Sequence, residues 1–331
     1  MKSWLKATIA VSLTAVVALG LSGCSNPNAT PSTTAFVPHI VVVMGNEGPS
    51  YEATLKAAAE TAAKKLGAVL EWHGETLNGT AKAQAAVVYQ AVQDKAQGII
   101  LMPVDNTLQQ YVDLAGGLGS DMVNLDSHVT VLDHVFANLY DDANQGGIKL
   151  ADSIADSMDY KEGKQYEIAV GISKATDMVT RTRLSGFNYE LGAKYPGIKV
   201  VATVESKASA NQAASAVAKA FSANPKLAGF VALDEFTASA SANYVQQQKI
   251  RIPLVAYDAT PEHVALLQKG VFTHLLSQNP AQKMAAAIAV IVAHQMTGAK
   301  PQSRDQLFES VLLDKSSSKA DLKKYSYLPA K

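Results

Sequence analysis

Polar side chains that could bind a small molecule follow several short apolar segments of this sequence. Four carboxylates and one amide lie at or just after the ends of such segments: Asp126, Asp142, Asp234, Asp258 and Gln278. Asp is common after strands because it caps the next helix, so any one of these carboxylates can be a helix cap. The series taken together favours a polar pocket at the strand ends.

The segment from residue 39 to 67 shows how the chain would position such side chains. Ile40–Met44 is a continuous apolar run rich in β-branched residues, typical of a strand buried on both faces. A turn containing Gly and Pro follows, and apolar residues then recur at helical spacing from Tyr51 until Gly67 ends the helix. This is a β-loop-α unit, and open α/β sheets bind ligands at the loop that follows the strand.

The same unit recurs along the chain, which implies parallel sheets with right-handed crossovers. The run divides near Tyr140, which favours two similar lobes over one very wide sheet. We expect residues 36–140 to form an N-terminal lobe and 141–278 a C-terminal lobe, with 279–310 returning to the first and 311–331 ending on the second. Crossings near Tyr140, Gln278 and Val311 would form the hinge. A fifth strand is expected at His134–Leu139 and a polar turn at Lys315–Lys319.

Composition excludes several classes of function. The 331 residues carry 29 basic and 29 acidic side chains, and no helix-turn-helix-like segment precedes the first strand, so nothing favours nucleic-acid binding. The sequence has no G-x-S-x-G, Walker A, G-x-G-x-x-G or H-E-x-x-H motif, and its seven His are scattered. We therefore expect no catalytic residues, no metal site and no cofactor.

The N-terminus has the pattern of a secretory signal, with Lys2 and Lys6 before the apolar stretch Ala7–Leu19. Leu21-Ser22-Gly23-Cys24 resembles the lipobox of bacterial lipoproteins, in which the Cys is lipidated and becomes the first residue. The alternative is a plain secretory signal with a coincidental Cys. Because Cys24 is the only Cys of the chain, we expect residues 1–24 to be a lipoprotein signal and 25–35 a flexible tether. The protein would be exported and anchored to the bacterial membrane, facing the periplasm or the outside of the cell.

Seven short motifs occur in a definite order from Phe36 to the end of the chain. They are Gly48-Pro49-Ser50-Tyr51, Asp126-Ser127, Asp141–Gly146, Arg181–Phe187, Asp234–Ala240, Tyr257-Asp258 and Gln278. In this order they resemble the ribose-type periplasmic sugar-binding proteins, the class I solute-binding proteins of ABC importers. The segment Arg181–Phe187 matches the R-x-R-x-x-G-F motif of that family fully, and the resemblance covers essentially the whole mature chain.

The resemblance implies an α/β fold of the periplasmic-binding-protein type I, with two doubly wound parallel-sheet lobes joined by a three-segment hinge. A sugar would lie between the lobes, where carboxylates accept its hydroxyl protons and an Arg donates in a fixed plane. Tyr51 would offer an apolar plate to the sugar ring. The implied ligand-binding residues are Tyr51, Asp126, Asp142, Arg183, Asp234, Asp258 and Gln278, with Asn46, Ser127 and Tyr257 as further candidates.

The sequence departs from the family where Glu52 replaces an aromatic residue and Ser127 an Arg, and where Asp142 and Asp234 replace Asn. Arg183 is then the only basic residue that the family motif places in the cleft. Arg181 points about 200° away on the same helix, so both cannot face the ligand. The match to the second Arg of R-x-R-x-x-G-F selects Arg183. Uncompensated buried carboxylates are costly. Either backbone donors hold some of them, or the ligand brings donors or positive charge, as a polyol or an amine-bearing compound would.

We therefore interpret the chain as a lipid-anchored, monomeric solute-binding protein that captures a small polyhydroxylated ligand and delivers it to an ABC permease. A first alternative is a sensory protein that presents its closed state to a membrane receptor. A second is an enzyme, such as a lyase or hydrolase that uses the acidic cleft. A sugar-responsive repressor is disfavoured by the export signal and by the lack of a DNA-binding headpiece.

Overall fold

A computed structural model describes residues 36–45, 47–74 and 80–330. The predicted signal, Cys24 and the tether lie outside the described residues, and so does Asn46. From Val37 onward the chain forms one compact unit, in which the helices and strands below are found.

Strands and helices alternate along the described chain. The strands are β1 (His39–Val43), β2 (Val69–His73), β3 (Gly98–Leu101), β4 (Asp121–Leu125), β5 (Ala137–Tyr140), β6 (Tyr166–Ile172), β7 (Ile198–Glu205), β8 (Gly229–Ala232), β9 (Leu254–Tyr257), β10 (His274–Ser277), β11 (Asp305–Leu307) and β12 (Val311–Asp314). The helices are α1 (Pro49–Leu66), α2 (Ala81–Gln93), α3 (Gln109–Gly117), α4 (Ala143–Ser157), α5 (Met178–Lys194), α6 (Ala210–Ala223), α7 (Glu235–Gln247), α8 (Pro261–Gln268), α9 (Pro280–Thr297) and α10 (Lys319–Tyr325).

The strands form two six-stranded sheets, one in each lobe. The first lobe has the order β11-β5-β4-β3-β1-β2, with every pair parallel. The second has the order β12-β10-β9-β8-β6-β7, and only β12 runs antiparallel, against β10. The predicted fold class is confirmed, and β4 of the first sheet occupies the same place as β9 of the second.

Each sheet is buried on both faces because helices cover both of them. In β1, Ile40 and Val42 face the core formed with α1 and α9, while Val41 and Val43 face the core formed with α2 and α3. Fully burying such a side chain stabilises a fold by about 1.5 to 3 kcal/mol. This double burial explains why the strands are continuous apolar runs rather than alternating ones.

The chain crosses between the sheets three times: between β5 and α4, between β10 and α9, and between β11 and β12. The C-terminal segment adds a contact that the sequence did not indicate. Leu322 of α10 packs in the core of the second lobe, but Tyr327 packs in the core of the first. The end of the chain therefore touches both lobes.

One predicted element boundary was wrong, and one short helix was not predicted. Strand β5 begins at Ala137 and not at His134, because His134 is exposed and a turn joins the Val135 amide to the carbonyl of Leu132. The polar run at 315–319 leads into helix α10, whose first turn is capped by the Ser318 side chain. Apolar content alone did not reveal that cap.

Close packing of α4 on α5 depends on two glycines. A Cβ on Gly147 would collide with the carbonyl oxygen of Arg183, and one on Gly186 with the carbonyl oxygen of Asn144. The helices can approach to backbone contact only because both positions lack a side chain. This contact sets the height of α5 over the strand ends and so places Arg183.

We predict that Gly186→Ala lowers the free energy of unfolding by about 2 kcal/mol, because the added methyl group must push the two backbones apart. Gly192→Ala is the matched control on the same helix, since nothing lies within 4 Å of a Cβ there. That change should raise stability by about 0.5 to 1 kcal/mol. Urea denaturation of the two variants measures both effects, and equal stabilities would contradict the packing argument.

Candidate functional site

A cleft lies between the lobes at the carboxyl ends of their strands. It has about 620 Å³ of empty space, including the part that is open to solvent. Residues that follow β1, β3 and β4 line it from the first lobe, and residues that follow β6 to β9 line it from the second. A position at the carboxyl ends of parallel strands is typical of small-molecule sites.

Asp126 and Asp258 occupy equivalent places at the ends of β4 and β9. Both have left-handed backbones, with φ of 63° and 72°, a conformation that Asp tolerates better than most residues. Each amide continues the sheet, Asp126 donating to the Leu139 carbonyl and Asp258 to the Leu276 carbonyl. Each lobe thus places an Asp with the same backbone conformation at the end of its equivalent strand.

Lys283 of α9 is completely buried beside Asp126 and Asp141. Its Nζ donates to Oδ1 of Asp126 and, over 2.7 Å, to Oδ1 of Asp141, while the Ser310 hydroxyl donates to Oδ2 of Asp141 over 3.1 Å. Burial opposes ionisation of Asp141, but attraction to Lys283 and Arg183 outweighs it, so the pKa of Asp141 is lowered. Burial raises the pKa of Asp126 despite Lys283.

The sequence analysis missed Lys283, a second buried cation next to the strand ends, which does not line the cleft itself. A signal for it exists in the sequence. Lys283 lies on the same helical face as Met284, Ala287 and Ile291, which are all buried. A lysine within an apolar face needs a buried partner, and the strand-end carboxylates were the available ones.

Arg183 is buried at the cleft, whereas Arg181 is exposed. Nη1 of Arg183 donates to the Leu233 carbonyl, and Nη2 of Arg183 donates to Oε1 of Gln278, each over 2.8 Å. The guanidinium carbon lies 3.9 Å from the centre of the Tyr257 ring. Both terminal nitrogens thus have partners within the second lobe, and the buried Nε has no hydrogen-bond partner among the described residues.

Gln278 links Arg183 to the strand-end carboxylate. Its Nε2 donates to Oδ1 of Asp258 over 2.7 Å. Tyr257 is fully buried beneath Arg183 and does not line the cleft. Burial raises the pKa of Asp258 and Arg183 opposes that rise.

Asp142 and Asp234 are both helix caps. Oδ1 of Asp142 accepts from the Gln145 amide at the start of α4, and Oδ1 of Asp234 accepts from the amides of Phe236 and Thr237 at the start of α7. Asp234 also lines the cleft, while Asp142 lines a neighbouring depression together with Asp126. Asp234 is therefore both the cap of α7 and a residue of the cleft lining.

The expected exposure of the Tyr51 ring to the cleft is corrected by the structure. Tyr51 is fully buried in the first turn of α1, and its hydroxyl donates to Oδ2 of Asp126 over 2.6 Å. The ring packs in the core beneath the strand ends and is absent from the cleft lining. Ser127 does line the cleft, and its hydroxyl donates to the Pro103 carbonyl over 2.7 Å.

Three further carboxyl side chains line the cleft and were missed, those of Glu47, Asp177 and Glu235. Glu47 follows β1, and burial raises its pKa to about 8 against the attraction of Arg183. Glu235 reaches from α7 across the cleft to the start of α1, where its oxygens accept from the Ser50 amide at 3.2 and 3.3 Å. Burial raises its pKa to about 7. Because Gly48 cannot cap α1 with a side chain, Glu235 supplies that cap from the other lobe.

The family model for the periplasmic binding protein domain matches residues 40–300. The chain belongs to the periplasmic binding protein family. No curated protein matches the sequence.

Solved structures of periplasmic binding proteins resemble this one over most of its length. A carbohydrate-transporter solute-binding protein from Agrobacterium radiobacter, in complex with D-arabinose, has a TM-score of 0.80 and 22% identity, covering 88% of this chain and 99% of that one. A solute-binding protein from Agrobacterium vitis, bound to α-D-tagatopyranose, has a TM-score of 0.77 and 25% identity, covering 88% and 99%. The Caulobacter myo-inositol binding protein, bound to myo-inositol, has a TM-score of 0.75 and 19% identity, covering 88% and 98%.

The described residues of this periplasmic binding protein offer neither a metal-binding cluster nor a membrane-spanning helix. Those residues contain no group of three or more His, Cys, Asp or Glu side chains that could hold a metal ion. The helices among them include none that is long and apolar enough to cross a bilayer.

We predict that Lys283→Met lowers the free energy of unfolding by about 3 to 5 kcal/mol, because it leaves Asp126 and Asp141 buried beside each other without a cation. Lys56→Met, at an exposed position of α1, is the control and should change stability by less than about 0.5 kcal/mol. Urea denaturation measures both. Adding Asp126→Asn and Asp141→Asn to Lys283→Met should recover part of the loss, and a loss below about 1 kcal/mol would refute the buried-charge argument.

Proposed function

We propose that this periplasmic binding protein captures a small polyhydroxylated ligand, a monosaccharide or related polyol, in the cleft between its lobes and delivers it to an ABC permease. The observation that carries the proposal is that strand-end side chains of both lobes line this cleft, Ser127 from the first lobe and Asp234 and Asp258 from the second. The bound D-arabinose, α-D-tagatopyranose and myo-inositol of the structural relatives support the ligand class.

The cleft offers the hydrogen-bonding groups that a sugar needs. Oδ2 of Asp258 accepts no hydrogen bond from the described residues, so it is available to a ligand hydroxyl. Arg183 lines the cleft with a cationic side chain. Glu47, with its raised pKa, can donate a proton as well as accept one. Hydroxyls that both donate and accept fit this mixture better than a purely anionic ligand would.

Binding would be coupled to closure of the lobes. Glu235 of the second lobe already contacts the α1 amide of the first, and a ligand held by groups of both lobes adds contacts that exist only in the closed form. The three crossings allow this motion as a hinge. The closed form is what a permease, or in the alternative role a membrane receptor, would recognise. We propose binding without a catalytic step.

A second ligand class is favoured by the charge of the cleft. Glu47, Asp234, Glu235 and Asp258 line it, and Arg183 is the one cation among its described lining residues. An amine on the ligand would compensate this excess of acid. An amino sugar such as glucosamine should then bind more tightly than glucose, and Glu47→Gln should weaken glucosamine binding more than glucose binding.

We predict that calorimetric titration with D-arabinose, D-tagatose, D-glucose, D-glucosamine and myo-inositol finds at least one that binds. Arg183→Lys should weaken that binding about tenfold or more, because a Lys cannot hold Gln278 and the Leu233 carbonyl and also meet the ligand. Arg181→Lys, two residues away and exposed, should leave affinity unchanged. Binding that depends on Arg181 and not on Arg183 would refute this site, and turnover of a bound sugar would favour an enzyme.

We also propose that Cys24 carries a lipid that anchors the protein to the membrane on its exported side. The sequence pattern Leu21–Cys24 supports this. Cys24→Ser should release the protein from the membrane fraction of cells, as followed by immunoblotting after fractionation. A Cys24→Ser protein that still sediments with membranes would rule out lipidation as the anchor.

A further inference from the structure

Two tyrosines buried in the core of the first lobe hold the equivalent carboxylates Asp126 and Asp258. The Tyr51 hydroxyl donates to Oδ2 of Asp126 over 2.6 Å, and the Tyr327 hydroxyl donates to Oδ1 of Asp258 over 3.2 Å. The two rings meet edge to face, with centroids 5.6 Å apart and planes at 67°. We call Asp126, Tyr51, Tyr327 and Asp258 the tyrosine bridge.

Tyr327 belongs to the C-terminal segment but is fixed by both lobes. Its amide donates to the Ala259 carbonyl over 2.8 Å, and its hydroxyl accepts from the Gln278 amide over 3.0 Å, both in the second lobe. The next residue, Leu328, donates its amide to the Thr54 hydroxyl of α1 over 2.8 Å, in the first lobe. Tyr327 is only 3% exposed.

We propose that Tyr327 is a positioning residue for the ligand site, which acts through Asp258 and, across the tyrosine bridge, through Tyr51 and Asp126. This rests on the proposed function of the cleft. Neither tyrosine lines the cleft, so neither is a ligand contact. The bridge orients one carboxylate of each lobe, and it is complete only when the lobes are together.

The geometry at Asp258 shows what Tyr327 contributes. Oδ1 accepts from Tyr327 and from Nε2 of Gln278, and this leaves Oδ2 turned away from both donors. Without the Tyr327 hydroxyl, Asp258 loses one of its two described side-chain donors and the Gln278 amide loses its acceptor. Hydrogen bonds to a buried charge are among the stronger ones. Losing the bond from Tyr327 to Asp258 should therefore weaken ligand binding.

The same segment resists opening of the cleft. If the lobes separate, Tyr327 cannot keep Asp258 and Ala259 on one side while its ring stays on Tyr51 and Leu328 stays on Thr54. Opening therefore breaks contacts of the C-terminal segment as well as those of the cleft. The tyrosine bridge thus couples the orientation of the carboxylates to the closure of the lobes.

The test uses the full chain with Cys24→Ser, carrying Tyr327→Phe, Tyr51→Phe or both. Tyr325→Phe is the matched control, because that hydroxyl only accepts from Lys324 at the surface. Each protein is titrated with D-arabinose, D-tagatose and myo-inositol. The distance between spin labels at Glu60→Cys of α1 and Gln247→Cys of α7 is also measured without any ligand.

We expect Tyr327→Phe to raise the dissociation constant of the best-bound probe about tenfold and to reduce the ligand-free population with the short interlobe distance. Tyr325→Phe should change neither. The double variant should lose no more than the more severe single variant, since both break one bridge. Thr54→Val, which removes the acceptor of the Leu328 amide and the donor to the Ser50 carbonyl, should also reduce the short-distance population.

The proposal is overturned if Tyr327→Phe behaves like Tyr325→Phe in both measurements, or if the two tyrosine effects simply add. If no probe binds even the parent protein, the proposed ligand class fails. The interlobe distances of Tyr327→Phe and Thr54→Val then still decide whether the bridge holds the lobes together.

Discussion

A buried lysine constrains the middle of this molecule. Lys283 sits at the start of α9, just after one crossing between the lobes; Asp141 lies in another crossing, and Ser310 in the third. A charge in the interior is tolerable only while its partners stay in place, so this cluster fixes where the three crossings meet. It also holds Asp126 in the depression next to the cleft, which couples the hinge to the edge of the site.

The two lobes stabilise their equivalent strand-end carboxylates with different partners. Each ends its equivalent strand, β4 or β9, with a left-handed Asp, but Lys283 balances the first carboxylate, whereas Arg183 acts on the second through Gln278. Around this frame the cleft collects further carboxyls whose pKa burial raises, notably Glu47 and Glu235. A site of this kind is poor in fixed charge compensation and rich in groups that can either donate or accept, which suits a ligand with many hydroxyls.

Much of the fold could be predicted from the sequence, because β-branched runs followed by amphipathic helices have few alternatives to a parallel sheet. The choice of Arg183 over Arg181 also followed, from the match to the family motif, since helical spacing shows only that the two side chains point apart. What failed depended on contacts between residues far apart in the chain. The inward turn of Tyr51 needs Asp126, the burial of Lys283 needs Asp141, and the reach of Glu235 needs Ser50, which is 185 positions away. The residues next to each of these positions in the sequence do not indicate such distant partners.

The first lobe is assembled from both ends of the chain. Its core contains Ile40 and Leu55 from the beginning, Met284 and Ile288 from α9, and Tyr327 close to the end. During synthesis, or while the chain is threaded across a membrane, this lobe cannot finish folding until almost the last residue has emerged. Until then β5 has an unpaired edge and α1 an uncovered apolar face, which are features that invite aggregation. A product that stops before α9 would leave the second lobe nearly whole and the first permanently open.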